Sequence, residues 1–518
     1  MTETAFPPSR HPDSGRLAAP ELVGLVAFVI GLTAIKLVVG GATGLVRDEA
    51  YYTLWALHPL QAGYFDHPPA VAWFIKAGQV VLGETELASR LVAILATPVC
   101  SLAIFRSANL LYSDQRTAAL AVLWFNVTLG AAVGMLVITP DAPSMLFWTL
   151  AIWTAAELLR SGKAYWWLAF GIFAGLGLAS KYTGAFLGAG IVLWIVWYRQ
   201  NRRWLRSWQL YAGGALAVGL FSPVLWWNSQ NGMSSLAFQL GRSARNFDID
   251  LAKLKFLPEF VGSQIALLWP GLFLFAVIGC VLFFKRRGGQ PNPGTGLLVV
   301  TALPAIAYFL YHATHARVQG NWPLPLYGQV AILGAWAAGN WQPVNGSLAA
   351  FMRFVRLSVT PLGLAIVLIV YAHAALGLFN LPVRDPSREM HGWDDAMVEI
   401  SAIARKHAAD TVFAPDYGMT GWLSVYNRFG NHGLTVLPAY QRHRYGYMAL
   451  PEVSEVRWPA LIAVRARRSR PAFAEFGKPP FLSGTFQQSI QRRDRHGTAI
   501  DRIDIYLADR PEAGIYAE

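Results

Sequence analysis

Residues 45–73, LVRDEAYYTLWALHPLQAGYFDHPPAVAW, decide how the rest of the chain is read. Arg47, Asp48 and Glu49 follow directly on the apolar run from Leu32 to Gly44. This sets an acidic pair at the boundary between membrane and water, beside aromatic residues and just ahead of Tyr64-Phe65-Asp66-His67-Pro68-Pro69. An isolated carboxylate in that setting is costly to desolvate, which favours either a partner such as Arg47 or a raised pKa suited to a general base. The plainer alternative is an interfacial loop with solvated charges and a belt of Tyr and Trp.

Composition sets the class: 518 residues at 54% hydrophobic and 14% charged carry more apolar surface than one soluble core hides. The chain reads as an α-helical polytopic membrane protein. Cys100 and Cys280 lie inside apolar runs, so they read as small buried hydrophobes and offer no disulfide framework. Residues 1–20 are polar and Pro-rich and are expected to form a disordered cytoplasmic tail. The run from Leu22 is too long for a signal-peptide core and reads as an uncleaved anchor.

Candidate spans lie near 21–43, 88–111, 117–138, 143–159, 165–181, 183–198, 209–227, 260–284, 295–312, 323–341 and 357–379, about eleven in all. Val71 to Leu82 is too short to span and reads as an interfacial helix. With the N-terminus inside, each short inner loop collects basic residues: Arg106 and Arg116; Arg160 and Lys163; Arg199, Arg202, Arg203 and Arg206; Lys285 to Arg287; Arg353 and Arg356. The polar residues suited to chemistry then share the outer side, from the loop 44–85 onward. They are Asp48, Asp66, His67, Asp141, Lys181, Arg242, Arg245, His315, Arg317 and Asn321.

The net charge of +13 is not a nucleic-acid signature. Residues 380–518 hold 18 Lys and Arg against 16 Asp and Glu, leaving +11 to the membrane part, where topology accounts for most of it. From 380 onward the composition is that of a small α/β domain, expected on the periplasmic side. Strand-like runs at Asp410–Pro415, Leu434–Leu437, Ala460–Val464 and Ile503–Leu507 alternate with a helical segment near Ala396 to His407. The apolar runs do not divide into matching halves, which weighs against a transporter built on inverted repeats.

Asp141 stands between Pro140 and Pro143 where one span ends and the next begins; it is a site candidate or simply an N-cap. Lys181 lies between two apolar runs, where its ammonium must snorkel or find an anion, such as a phosphate. His312 and His315 have metal-ligand spacing without a recognisable third and fourth ligand, so no metal site is assigned. A divalent cation recruited to a donor phosphate by the Asp-bearing outer loops stays open.

Asp48-Glu49 after the first span, Gly63-Tyr-Phe-Asp-His-Pro-Pro69, Thr139-Pro-Asp141, Ser180-Lys-Tyr182 and Asn321-Trp-Pro323, taken in order and on one side, resemble the bacterial branch of the dolichyl-phosphate-mannose protein mannosyltransferase family. That branch includes the aminoarabinose transferase acting on lipid A and belongs to the C-type glycosyltransferase superfamily. The likeness covers most of residues 20–340 and implies a C-type fold of about 11 to 13 transmembrane helices within residues 21–379. It implies transfer of a sugar from a polyprenyl phosphate of the undecaprenyl type to a lipid A, lipopolysaccharide-core or related glycolipid acceptor at the outer face of the inner membrane, with inversion at the anomeric carbon. Asp48 is then the general base, with Glu49 and Asp141 as its catalytic companions. Tyr51, Tyr52, Tyr64 and His67 line the sugar and phosphate pocket, and Lys181, Arg242, Arg245, Arg317 and Asn321 hold the donor. The aminoarabinose transferases carry a lysine where His67 stands, so the phosphate contact differs here: neutral imidazole offers one donor and no charge. The alternatives are a protein O-glycosyltransferase of the same family and a flippase for a lipid-linked sugar.

Overall fold

The structure is a computed structural model and describes residues 15–244, 253–285, 292–341, 343, 345–379, 385–452, 455–466 and 484–508, with the side chains of 242–244 left undescribed. In chain order the helices begin with α1 (Ala19–Ala42), α2 (Arg47–Leu57), α3 (Ala70–Leu82), α4 (Glu86–Tyr112), α5 (Gln115–Val127), α6 (Leu129–Gly134), α7 (Asp141–Ser161), α8 (Trp166–Leu178) and α9 (Ala185–Trp197). They continue with α10 (Trp208–Gln230), α11 (Ser234–Ala244), α12 (Phe256–Leu268), α13 (Pro270–Lys285), α14 (Pro293–His312), α15 (Tyr327–Asn340), α16 (Gly346–Leu376), α17 (Trp393–Lys406) and α18 (Tyr417–Phe429). Among the described residues α1, α4, α7, α10, α14 and α16 are long and apolar enough to cross a membrane, and α12 with α13 makes a seventh span if the pair counts as one.

All eleven stretches expected to span carry helix, but several depart from a single straight rod. The run 117–138 breaks at Thr128, whose hydroxyl caps α6 by accepting from the Ala131 amide. The run 260–284 turns by 109° between α12 and α13. There Trp269 has a φ of 74° and Pro270 starts the second helix, because a proline cannot continue the hydrogen-bond ladder of the first. Helices α8, α9 and α15 have 13, 13 and 14 residues, fewer than the roughly 20 that a bilayer core requires of one helix. Lys36, a residue able to snorkel by its position in sequence, does not: it is buried between α1 and α4, and its ammonium donates to Thr97 Oγ1 at 3.0 Å.

Apolar side chains such as Val23, Val38, Val218 and Leu225 face outward from α1 and α10, as expected of helices that meet lipid. The C-terminal segment forms a five-stranded sheet in the order β2-β1-β3-β5-β4, from β1 (Thr411–Ala414), β2 (Thr435–Pro438), β3 (Ala460–Ala466), β4 (Thr485–Arg493) and β5 (Ala499–Ala508). β1 pairs parallel with β2 and β3; β5 pairs antiparallel with β3 and β4. The four strand-like runs read in the sequence fall on β1, β2, β3 and β5.

This C-terminal part packs directly on the segment that joins α1 to α2. The Gly44 amide donates to Met390 O at 2.9 Å, Leu45 N to Tyr426 Oη at 2.9 Å, and Trp422 Nε1 to Leu45 O at 2.8 Å. Helix α18 lies against α2 so closely that a Cβ on Gly421 would come within 2.7 Å of the Tyr51 amide nitrogen, so only glycine admits this approach. Gly44 and Leu45, at the edge of the membrane helices, are therefore held by backbone and side-chain bonds from residues more than 340 positions away.

Candidate active site

Glu49 is the fixed point of the site. It is wholly buried and forms an ion pair with Arg90, whose Nε donates to Glu49 Oε1 at 2.7 Å. The same carboxylate accepts from the Ile138 amide at 2.9 Å and, across the first turn of α2, from the Val46 amide at 3.0 Å. Arg90 spends its remaining donors on carbonyls at the end of α1: Gly40 O at 2.9 Å, Thr43 O at 2.8 Å and Gly44 O at 2.8 Å. A buried charge pair is tolerable when its remaining lone pairs and protons are satisfied in this way. The pair ties α1, α2, α4 and the loop before α7 together and so sets where α2 points.

Asp48 follows from that placement. It sits in the first turn of α2, where the helix dipole favours negative charge, and Tyr417 of α18 donates to its Oδ1 at 3.1 Å. Solvent reaches the carboxyl, but protein crowds its other sides. Loss of hydration lifts its pKa above the usual carboxylate range, against the lowering pull of the Tyr417 hydrogen bond and of Arg47, while Glu389 and Asp141 add to the rise. Arg47 points away and pairs with Glu389 at 3.2 Å.

Asp141, at the start of α7, does not cap its own helix through its carboxylate. Its Oδ1 accepts from Lys181 Nζ at 2.6 Å and its Oδ2 from Asn321 Nδ2 at 2.6 Å. Three separately noted residues thus meet in one cluster, and Lys181, itself buried, has found an anion within the chain. Asp66 accepts from Tyr51 Oη at 2.5 Å and from Arg444 Nη1 at 2.8 Å. Tyr52 lies among these groups: burial and the charges of Asp48, Asp66 and Asp141 hold its phenol well above the usual range, and its ring is 6.2 Å from that of His67. Asp48, Asp66 and Asp141 therefore surround one buried tyrosine.

Other expected residues lie elsewhere in the fold. Tyr64 is buried and stacks on Trp55 at 4.0 Å, its hydroxyl accepting from the Gln61 amide. Arg317 is exposed and forms a loose pair with Glu259 at 3.8 Å. Arg245 and the side chain of Arg242 lie outside the described residues. His312 and His315 touch, with ring centroids 5.0 Å apart. No three His, Cys, Asp or Glu side chains among the described residues gather as a metal-binding set, so these residues do not fit a resident ion.

Three residues absent from the sequence reading stand at this site. Arg90 carried a signal, being an arginine inside the apolar run 88–111. Tyr417 and Arg444 carried none, since the docking of the C-terminal part brings them in.

Residues 66–227 match the dolichyl-phosphate-mannose-protein mannosyltransferase family. The chain is 23% identical over 396 residues to the lipid A galacturonosyltransferase RgtD of Rhizobium johnstonii, covering 76% of this chain and 80% of the relative. It is 29% identical over 230 residues to the undecaprenyl phosphate-alpha-4-amino-4-deoxy-L-arabinose arabinosyl transferase of Pseudomonas savastanoi pv. phaseolicola, covering 41% of each. Its fold is that of ArnT from Cupriavidus metallidurans, solved bound to undecaprenyl phosphate: TM-score 0.62 at 15% identity, over 97% of this chain and 100% of that one. In sequence this chain is thus similar to the dolichyl-phosphate-mannose-protein mannosyltransferase family over residues 66–227, and to a lipid A galacturonosyltransferase and the aminoarabinose transferases over longer stretches.

Proposed function

We propose that this protein is an integral-membrane glycosyltransferase that moves a sugar from an undecaprenyl-type phosphate donor to lipid A or a related glycolipid. The observation that carries the proposal is the meeting of Asp48, Asp66 and the Asp141–Lys181–Asn321 cluster around Tyr52, in a chain whose relatives are named for such transfers. The orientation proposed has the N-terminus cytoplasmic, about eleven or more membrane crossings, and the site and C-terminal domain facing the periplasm.

In this reading Asp48 takes the proton of the acceptor hydroxyl as its oxygen attacks C1 of the sugar. The bond from C1 to the phosphate oxygen breaks with inversion, and the polyprenyl phosphate leaves with the electron pair. A carboxylate with a raised pKa is a stronger base than an ordinary one. Tyr417 keeps Oδ1 occupied and leaves Oδ2 for the acceptor. Lys181, oriented by Asp141 and Asn321, supplies positive charge toward the leaving phosphate. Glu49 holds α2 through Arg90 and does not itself meet substrate.

The test is to offer purified protein a panel of labelled undecaprenyl-phosphate sugars together with a lipid extract from Gram-negative cells. Label appearing in a lipid A or core glycolipid supports the reading and names both sugar and acceptor. Binding of every donor without any transfer would instead favour a flippase, and label in protein would favour an O-glycosyltransferase.

A further inference from the structure

Beside the Asp66–Arg444 pair lies a cavity of about 450 Å³ between the loop at Gly63, the end of α10 and the segment 443–447 of the C-terminal domain. The aromatic residues Trp226, Trp227 and Tyr447 line it, and so do the polar side chains of Gln230, Asn231 and Ser234. We propose that this cavity binds a pyranose ring of one of the two glycolipids, a reading that rests on the glycosyltransferase assignment above.

The chemistry of the lining selects a sugar. A pyranose presents a face of C–H groups that lies well on an aromatic ring and a rim of hydroxyls that both donate and accept hydrogen bonds, as side-chain amides and a serine hydroxyl do. An acyl chain would strand those amides without partners, and a bare phosphate would gain nothing from three aromatic rings. The cavity's cation, Arg444, has its charge met by Asp66 and is flanked by Phe65 and Phe238 at 5.2 and 5.3 Å. Its Nε is buried without a hydrogen-bond partner. The cavity also communicates with the reacting group: Arg444 meets Asp66, Asp66 meets Tyr51, the Tyr51 ring lies 5.3 Å from Tyr417, and Tyr417 bonds Asp48. Trp226 and Trp227 stand in the last turns of α10, a helix long and apolar enough to cross a membrane.

Two substitutions test this without touching the carboxylate cluster. Gly446→Trp fills the cavity from a position where an added Cβ meets no atom within 4 Å and φ is an ordinary −57°. Trp226→Ala removes an aromatic wall that is 64% exposed and so contributes little to the core. In both full-length variants the KM for one glycolipid is expected to rise about tenfold or more with kcat nearly unchanged; a rise for the acceptor assigns the ring to the acceptor, and a rise for the donor assigns it to the donor sugar. Saturation-transfer NMR with the deacylated acceptor and with a water-soluble short-chain donor reads binding without turnover. Loss of saccharide contact in Gly446→Trp supports the cavity even if no donor gives transfer, in which case the glycosyltransferase reading alone would fall. Wild-type KM values for both glycolipids and unchanged saccharide contacts in both variants would overturn the proposal and leave that reading standing.

Discussion

Replacing Arg90 by methionine leaves the Glu49 carboxylate buried with only the Ile138 and Val46 amides for company. It also strips hydrogen bonds from the carbonyls of Gly40, Thr43 and Gly44. Breaking a buried pair by removing one partner costs about 3–5 kcal/mol, and each stranded carbonyl adds about 1–3 kcal/mol where water cannot reach it. Glu49→Gln should cost less, because a neutral amide still accepts from Arg90, yet it leaves the guanidinium uncompensated. The double variant Arg90→Met with Glu49→Leu removes both charges, so its cost should fall well short of the sum of the single losses, with a coupling energy of about 3 kcal/mol. The assay is unfolding of the full chain by SDS in mixed micelles, run as a double-mutant cycle. If Arg90→Met cost about 1 kcal/mol or less, the value of a solvated surface pair, the claim that this pair sets the direction of α2 would be refuted.

Further expectations concern the carboxylates one by one. Tyr417→Phe removes the bond to Asp48 Oδ1; because that bond favours the ionised form, the acidic limb of the pH–rate profile should move to higher pH. In the wild type the raised pKa of Asp48 means that activity falls as pH drops through a value above the ordinary carboxylate range, and an acidic limb at or below pH ~4 would contradict this. Lys181→Met leaves Asp141 with Asn321 and the more distant Thr139 hydroxyl, both neutral, and should cost about 3–5 kcal/mol with loss of transfer, measured by the same SDS titration and the labelled-donor assay. Asp501 is held below its usual range by Arg492 and Arg465. Its contribution is therefore complete above the unfolded carboxylate pKa and is lost as pH falls through the depressed folded value, so Asp501→Asn should flatten the acid-side decline in stability.

The membrane class, the positions of the helices and most of the strands were legible in the sequence, because apolar runs of span length and alternating short runs are direct consequences of burial. The breaks were less so. Thr128 interrupts a run with no proline to mark it, and the turn at Trp269 is signalled only by Pro270. Helix α18 escaped notice although Asp416 is a plain N-cap, accepting from the Gly418 and Met419 amides, and Met419, Trp422, Leu423 and Tyr426 keep helical spacing; its two glycines masked it. β4 is mostly polar and lies at the sheet edge, so its alternation is weak. At the site, Asp48 and the Asp141–Lys181–Asn321 set could be singled out because a charge beside an apolar run demands a partner. Which partner it takes is a tertiary matter: Glu49 goes to Arg90, Asp66 to Arg444 and Asp48 to Tyr417, and two of those three partners come from beyond residue 410.

The central claim is that Asp48 is the base of a transfer reaction, and the rate of sugar transfer by Asp48→Asn tests it most directly. The variant should be compared with wild type after both give the same SDS unfolding midpoint and the same donor binding, so that folding and affinity are held constant. Transfer should fall by about 10²–10⁴ while donor binding persists. Transfer by Asp48→Asn at the wild-type rate would contradict it and turn attention to Asp66 and Asp141, the other carboxylates around Tyr52.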